Sequence, residues 1–176
     1  MRDNPRLAVW AILAETGSHC FMAGPAINPM PAPPTDHLSF DQVRLRFVTV
    51  VPGDPPSGLV PYYHFLIVTG GDDVAGHINY RLGETEHVRL YAGHIGFVIS
   101  ETFRGRGLAY QACRAIAPFI RSIRRTVIIT CDPDNYPSIR TIERLGARWI
   151  EEVTVPPHDP QFLGGSRRKR RYEWTP

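Results

Sequence analysis

The hexapeptide Arg104-Gly-Arg-Gly-Leu-Ala109 stands between a β-branched run, His94 to Ser100, and an amphipathic stretch that begins at Leu108. Glycines at 105 and 107 let a backbone turn tightly or come close to a ligand with no side chain in the way. The amides of Gly105, Arg106, Gly107, Leu108 and Ala109 fall at the start of the expected helix. Amides there have no intrahelical acceptor, and the helix dipole adds partial positive charge, so the loop suits a diphosphate. Arg104 and Arg106 bring full charges to the same place.

Three phosphate-binding patterns compete for this loop. The Walker pattern fails because no Gly-Lys-Ser/Thr follows the glycines. The dinucleotide pattern begins well with Gly105-Arg-Gly107, and Asp132 follows the next strand as a ribose-binding acid would. Tyr110, however, occupies the third-glycine position, where close helix–strand packing wants a small residue. The third pattern, Gln/Arg-x-x-Gly-x-Gly/Ala, is met by Arg104, Gly107 and Ala109.

The elements that must position this loop are legible from spacing. Leu108, Ala112, Ile116, Phe119 (or Ile120) and Ile123 recur every three to four residues and form one apolar stripe, with Gln111, Arg114, Arg121 and Arg125 on the outer face. Pro118 cannot donate to the Arg114 carbonyl, so a kink or an early end is expected there. Thr126 to Thr130 reads as a strand buried on both faces. Upstream, the alternation from Val43 to Val50 predicts a half-buried strand, and the Pro52 to Gly58 segment breaks it. Two further strands, Tyr63 to Val68 and Val74 to Leu82, are joined by the Gly70 to Asp73 turn. A turn at Gly83 to Glu86 leads into a longer strand, Val88 to Ser100. An antiparallel lead-in of this kind does not suit a doubly wound dinucleotide fold.

Downstream, Cys131 to Ser138 is a loop entering a second short helix. Asn135 or Tyr136 stands near its cap, Pro137 lies in its first turn, and Ile139, Ile142 and Leu145 form its buried side. Gly146 ends it as a left-handed cap. Arg148 to Val155 and Lys169 to Trp174 are the last strands, and the loop between them, 156–165, is long enough to rim a pocket. The fold class is α+β, a mostly antiparallel sheet carrying one βαβ unit.

At 176 residues the chain fits one domain able to bury roughly two-thirds of its unfolded surface. The net charge is only +3, with basic residues clumped at 104–125 and 167–171, which favours a local anionic ligand over nucleic-acid coating. The basic run Arg167 to Arg171 continues as an alternating strand, and charge on an edge strand discourages unwanted pairing. Nucleic acid is not an expected partner. Cys20, Cys113 and Cys131 lack metal-ligand spacing, so no metal is expected, and a cytoplasmic location fits. The apolar run Leu7 to Ala14 is too short to span a membrane, which takes about 20 apolar residues. Residues 1–38 read as a loosely packed, proline-rich extension, with Met22 and Met30 as alternative translation starts, and 39–176 as the domain.

Residues 43–174 resemble the GNAT superfamily of acyl-CoA-dependent N-acyltransferases. The likeness rests on Arg104 to Ala109 as the pyrophosphate loop and on Asn135-Tyr-Pro-Ser-Ile-Arg-Thr-Ile-Glu-Arg-Leu-Gly146 as the second motif, nearest the branch acetylating ribosomal-protein N-termini. It implies a mixed sheet of about seven strands with a splayed central parallel pair and flanking helices. Phe97, Val98 and Ile99 would then bond pantetheine through their backbones, and Arg104, Gly105, Arg106, Gly107, Leu108 and Ala109 would hold the diphosphate. Asn135 and Ser138 would face the sulfur, and Arg144 would reach the nucleotide or remain solvated. Acetyl-CoA is the implied cosubstrate and a primary amine, on a protein N-terminus or a small molecule, the acceptor. A homodimer is an expected form of the protein.

Two departures stand out. The tyrosine that many members use to protonate the leaving thiolate is Ile142 here, which leaves Ser138 as the substitute acid. Residues 52–62 are too short and proline-rich for the two-helix segment that usually walls the acceptor site. A neutral amine is needed for attack, so a base must reach it, and His94 and Glu101 are the candidates. His77 and Tyr80 read as sheet packing, while His158 and Asp159 fall on the acceptor rim. Direct acetyl transfer is thus the expected activity. A non-catalytic acyl-CoA-binding module is the alternative.

Overall fold

Residues 30–34 and 37–176 are described by a computed structural model. Its strands are β1 (Ser39–Phe40), β2 (Val43–Val51), β3 (Tyr62–Val68), β4 (Val74–Arg81), β5 (Ile95–Ile99), β6 (Val127–Cys131), β7 (Arg148–Thr154) and β8 (Arg168–Trp174). The helices are α1 (Leu108–Ile123), α2 (Tyr136–Arg144) and the single turn α3 (Pro160–Leu163). The strands form one sheet in the order β1-β2-β3-β4-β5-β6-β8-β7. Every neighbouring pair is antiparallel except β5–β6. The eighth strand, beyond the seven expected, is the two-residue β1 on the edge of β2.

Alternation along the strands decides which face is buried. Val43 and Leu45 of β2, Tyr63, Phe65 and Ile67 of β3, and Ile78 and Tyr80 of β4 pack with Leu108, Ala112, Ile116, Phe119 and Ile120 of α1 in one core. Each such side chain stabilises the fold by about 1.5–3 kcal/mol. Ile139, Ile142 and Leu145 of α2 join the same core, as their spacing foretells. Asn135 caps α2 by accepting from the Ser138 amide at 3.2 Å, and Gly146 takes the left-handed conformation at its end.

Four expectations differ from the structure. Residues 87–92 form a π-helical segment rather than the first half of a strand running from Val88 to Ser100. Val88, Leu90 and Ala92 satisfy a strand period, but His87, Val88, Tyr91 and Ala92 are the ones buried, a helical spacing. Gly93 then turns with φ 69°, against Thr130 and Ile128, where a Cβ would lie 3.0–3.1 Å from backbone atoms. Second, α1 neither ends nor breaks off at Pro118. Pro118 and Arg114 are exposed, so water can take the orphaned carbonyl, while buried Phe119 and Ile120 hold the next turn in place. Third, Gln111 is buried rather than outward-facing, with its Oε1 lacking a partner. Fourth, the described part of the proline-rich extension is docked: Leu38 is buried, Met30 packs on the core, and the Tyr63 hydroxyl donates to the Pro31 carbonyl. The rest of the extension, with Leu7 to Ala14, Met22 and Cys20, lies outside the described residues.

Residues 52–62 carry only a helical turn, Pro55–Ser57, and a bridge between Asp54 and Leu59, so the two-helix segment is absent there. The sheet face opposite α1 is covered differently. The 87–92 segment lies against β6 and β8, fixed by Thr130 Oγ1 donating to the Tyr91 carbonyl (2.8 Å) and Arg171 Nε to the Arg89 carbonyl (2.9 Å). The 156–165 loop is fastened to it by His87 Nδ1 and Asp159 Oδ2, 2.8 Å apart and both buried.

Candidate functional site

β5 and β6 share one registered position, Ile95 opposite Ile129, after the His94 amide donates to the Ile128 carbonyl at 2.7 Å. Beyond Ile95 the two strands part. On the other side β5 stays zipped to β4: the Arg81 amide donates to the His94 carbonyl (2.8 Å) and the Ser100 amide to the Ala75 carbonyl (2.9 Å). Main-chain groups alternate sides along a strand, so Val98 and Ser100, like the His94 carbonyl, serve β4 while Phe97 and Ile99 turn theirs to the gap. Of the three residues expected to offer backbone bonds, Val98 is thus committed to His77 across the ladder.

The gap is a groove of about 180 Å3. Sites that enclose a whole drug-sized ligand run to roughly 300–1,000 Å3, so this one fits a slender arm entering from outside. His77, Asn79 and Arg81 line it from β4, Gly96, Phe97 and Val98 from β5, and Thr130, Cys131 and Asp132 from the end of β6. Asn135 and Ser138 close it at the start of α2, and Gln161 and Lys169 on the far side.

The Arg104–Ala109 loop follows the C-terminal end of β5 and leads into α1. A helical turn over Glu101–Phe103 is closed by the Arg104 amide donating to the Glu101 carbonyl at 3.2 Å, and Gly107 caps α1 with φ 72°. From Gly105 to Tyr110, no backbone amide donates to an acceptor among the described residues; the first to do so is Gln111, to the Gly107 carbonyl. Six consecutive amides at the positive end of a 16-residue helix make an anion cradle. Arg104 Nε donates to the Ile99 carbonyl (3.2 Å), and Arg106 stacks 5.3 Å from the Phe103 ring and donates to the Thr102 carbonyl. Arg144 comes from α2 to lie 4.2 Å over the Tyr110 ring, beside Gly107. Tyr110, which excludes the dinucleotide pattern, is therefore the platform for a third arginine.

The two base candidates lie elsewhere. His94 is 2% exposed and does not line the groove. Its Nδ1 accepts from the Ile128 amide at 2.9 Å, so the ring hydrogen sits on Nε2, facing Glu84 Oε1 at 3.1 Å. Burial first, then the Arg124 charge, pulls its pKa down; Nδ1 is engaged by Ile128 of β6, and Nε2 lies against Glu84 and Arg124. Glu101 is exposed in the turn before the cradle and lines no part of the groove. Asp159, expected on the rim, is buried and holds the rim loop through His87 and the Gln161 amide, while His158 is exposed. Ile142 is wholly buried and does not line the groove.

Residues of β4 were the ones missed. Tyr80 is sheet packing, as expected, but His77, Asn79 and Arg81 form the polar row of that strand and line the groove. Their alternation with buried Ile78 and Tyr80 was the available signal. Asp132, in place of a ribose contact, sits in the groove wall, accepting from Ser166 Oγ and pairing with Lys169 Nζ, each at 2.8 Å. Cys131 lines the groove as a free thiol, its pKa raised to about 11 by burial. Among the described residues no cluster of His, Cys, Asp and Glu could hold a metal ion, and no helix is long and apolar enough to cross a membrane.

Residues 19–148 match the family model described as an acetyltransferase (GNAT) domain. No curated protein matches the chain significantly. Among solved structures, a GNAT-family acetyltransferase from Bacillus anthracis is 24% identical, with TM-score 0.49 over 64% of this chain and 65% of that one. The microcin C7 self-immunity acetyltransferase MccE, in complex with acetyl-CoA and AMP, is 19% identical with TM-score 0.51 over 65% and 61%. The ribosomal L7/L12 α-N-protein acetyltransferase RimL, in complex with coenzyme A, is 15% identical with TM-score 0.55 over 78% and 96%. The chain spans less than two thirds of the length of the first two. Likeness at these identities is likeness of fold.

Proposed function

The chain belongs to the GNAT acetyltransferase family, and on that premise we propose that it transfers the acetyl group of acetyl-CoA to a primary amine, on a protein N-terminus or a small molecule, by direct attack in a ternary complex. One observation carries the proposal: β5 parts from β6 past Ile95 and then runs on into a loop with six unbonded amides at the start of α1. Free main-chain groups on a parted strand followed in the chain by an anion cradle suit a molecule that joins an amide-bearing arm to a diphosphate. MccE and RimL, whose structures hold acetyl-CoA and coenzyme A, support the same ligand.

In this account the amides from Gly105 to Tyr110 hold the diphosphate, with Arg104, Arg106 and Arg144 supplying charge around them. The main-chain groups of Phe97 and the Ile99 amide bond the pantetheine arm, the Ile99 carbonyl being taken by Arg104. The amine nitrogen attacks the thioester carbonyl carbon, and backbone N–H groups at the parted strand stabilise the oxyanion. The C–S bond then breaks, and the sulfur leaves toward Ser138, whose hydroxyl is the proton donor within the groove. Ile142 is sealed in the core, and no tyrosine among the described residues lines the groove. A thiol at about pKa 11 is scarcely ionised near neutrality, so Cys131 is a poor nucleophile and an acetyl-cysteine intermediate is disfavoured.

The test is a product search. The protein is incubated with acetyl-CoA, short unblocked peptides covering all twenty first residues, and simple alkylamines. Mass spectrometry is expected to find an acetyl group on at least one α-amine or alkylamine in an enzyme-dependent manner. Tight acetyl-CoA binding with no acetylated product from this pool would instead support the non-catalytic acyl-CoA module.

A further inference from the structure

We infer that His77 is the base that takes the proton of the acceptor amine; this rests on the transferase reading and adds to it the residue that makes the nucleophile. His77 lies on β4 directly opposite Val98, between the two β5 residues whose main-chain groups face the gap. It lines the groove and is half-buried, so its ring meets the site without being sealed from an incoming amine. It stands on the sheet face opposite α1, the side from which an acceptor must approach a thioester delivered past the α1 cradle.

Hydrogen bonding separates His77 from the other buried or half-buried histidines. His64 presents Nδ1 to Asn79 Oδ1 at 2.7 Å, His87 is bound to Asp159, and His94 is held by the Ile128 amide and Glu84. Neither ring nitrogen of His77 is hydrogen-bonded within the described residues, so one nitrogen is free to accept. Among the carboxylates near the groove, Asp132 is engaged by Lys169 and Ser166.

The groups facing the ring agree with this role. His64 of β3 lies 5.4 Å away, centroid to centroid, and Arg81 follows on the same face of β4. Val98 of β5 is apolar, and the Asp132–Lys169 pair stands on the far wall of the groove. Burial, and then repulsion from His64, lowers the His77 pKa from 6.5, so the ring is neutral at neutral pH. The proton balance is simple. The amine nitrogen bonds to the thioester carbon, its proton passes to the free nitrogen of His77, and the C–S bond breaks with the thiolate protonated from Ser138. His77 then gives its proton up to solvent and Ser138 takes one back from solvent, so both side chains are restored and the net change is amine plus thioester to amide plus thiol.

The experiment compares wild type, His77→Gln and His77→Ala, using acetyl-CoA and the best acceptor from the peptide and alkylamine pool. General-base contributions of this kind are worth about 100- to 10,000-fold. The expected result is a fall in kcat of about 100-fold or more in both variants, with the KM for acetyl-CoA and the thermal shift it produces unchanged. The acid limb of the wild-type pH profile, lying below pH 6.5, should disappear. Added imidazole should restore part of the His77→Ala rate but not that of His77→Gln, whose side chain fills the space. Wild-type turnover with an unaltered rate and pH profile in both variants overturns the inference alone. Absence of any amine-dependent turnover by wild type overturns the transferase reading and this inference together.

Discussion

His94 and His77 show at the residue scale how a side chain's partners decide its role. Both carry imidazoles with lowered pKa values, and burial is the leading cause in each. His94 has spent both nitrogens on structure; His77 has spent neither. The folded state therefore disfavours protonation of His94, whose folded pKa lies below its unfolded value of about 6.5. Its stabilising contribution is full above pH 6.5 and is lost as the pH falls through 6.5 toward the lower folded value. His94→Leu leaves the Ile128 amide buried without its acceptor, at a cost of about 1–3 kcal/mol. Thermal unfolding between pH 8 and pH 5 should show a deficit of that size at the alkaline end, narrowing below pH 6.5. A deficit that stays constant across the range would remove His94 from the titrating groups.

At the element scale the strand–loop–helix unit was legible because its signals are local. Gly105 and Gly107, the apolar stripe from Leu108, and the Asn135 cap each act within a few residues of themselves. The 87–92 segment was not, because its sequence fits both periods, and bonds from Thr130 and Arg171, distant in sequence, favour the helical one. The role of His77 depends likewise on the register of β4 with β3 and β5, which no short window contains. The cradle has a direct test in Gly107→Val. A Cβ there would meet only Arg144, at 3.6 Å, so the cost is the left-handed backbone, about 1–2 kcal/mol, and not a clash. In a protein of this size that lowers Tm by several degrees. The variant should fold, yet lose the rise in Tm that acetyl-CoA gives the wild type. A wild-type rise would remove the loop from the diphosphate site.

At the scale of the whole molecule, α1 and α2 cover one face of the sheet and leave the opposite face to other parts of the chain. The shortness of residues 52–62 was visible in the sequence and foretold the missing two-helix wall. The 156–165 loop was expected at a pocket rim, but the 87–92 segment that it joins was not visible as its partner. The 87–92 segment and the 156–165 loop are joined by one buried pair, His87 with Asp159, contributed by segments 72 residues apart. Each residue alone reads as ordinary loop polarity. The parting of β5 from β6 is similarly a property of the assembled sheet: Thr126 to Thr130 reads as a continuous strand, and only the pairing of Ile129 with Ile95 reveals where pairing stops.

In the proposed reaction this groove brings acetyl-CoA and an amine together for direct transfer. The decisive measurement is the initial rate of CoA thiol release while both acetyl-CoA and the acceptor are varied. Release should require the amine, and the reciprocal plots should intersect, as a ternary complex demands. Saturable acetyl-CoA binding with no amine-dependent release, or parallel plots marking an acetyl-enzyme, would contradict it.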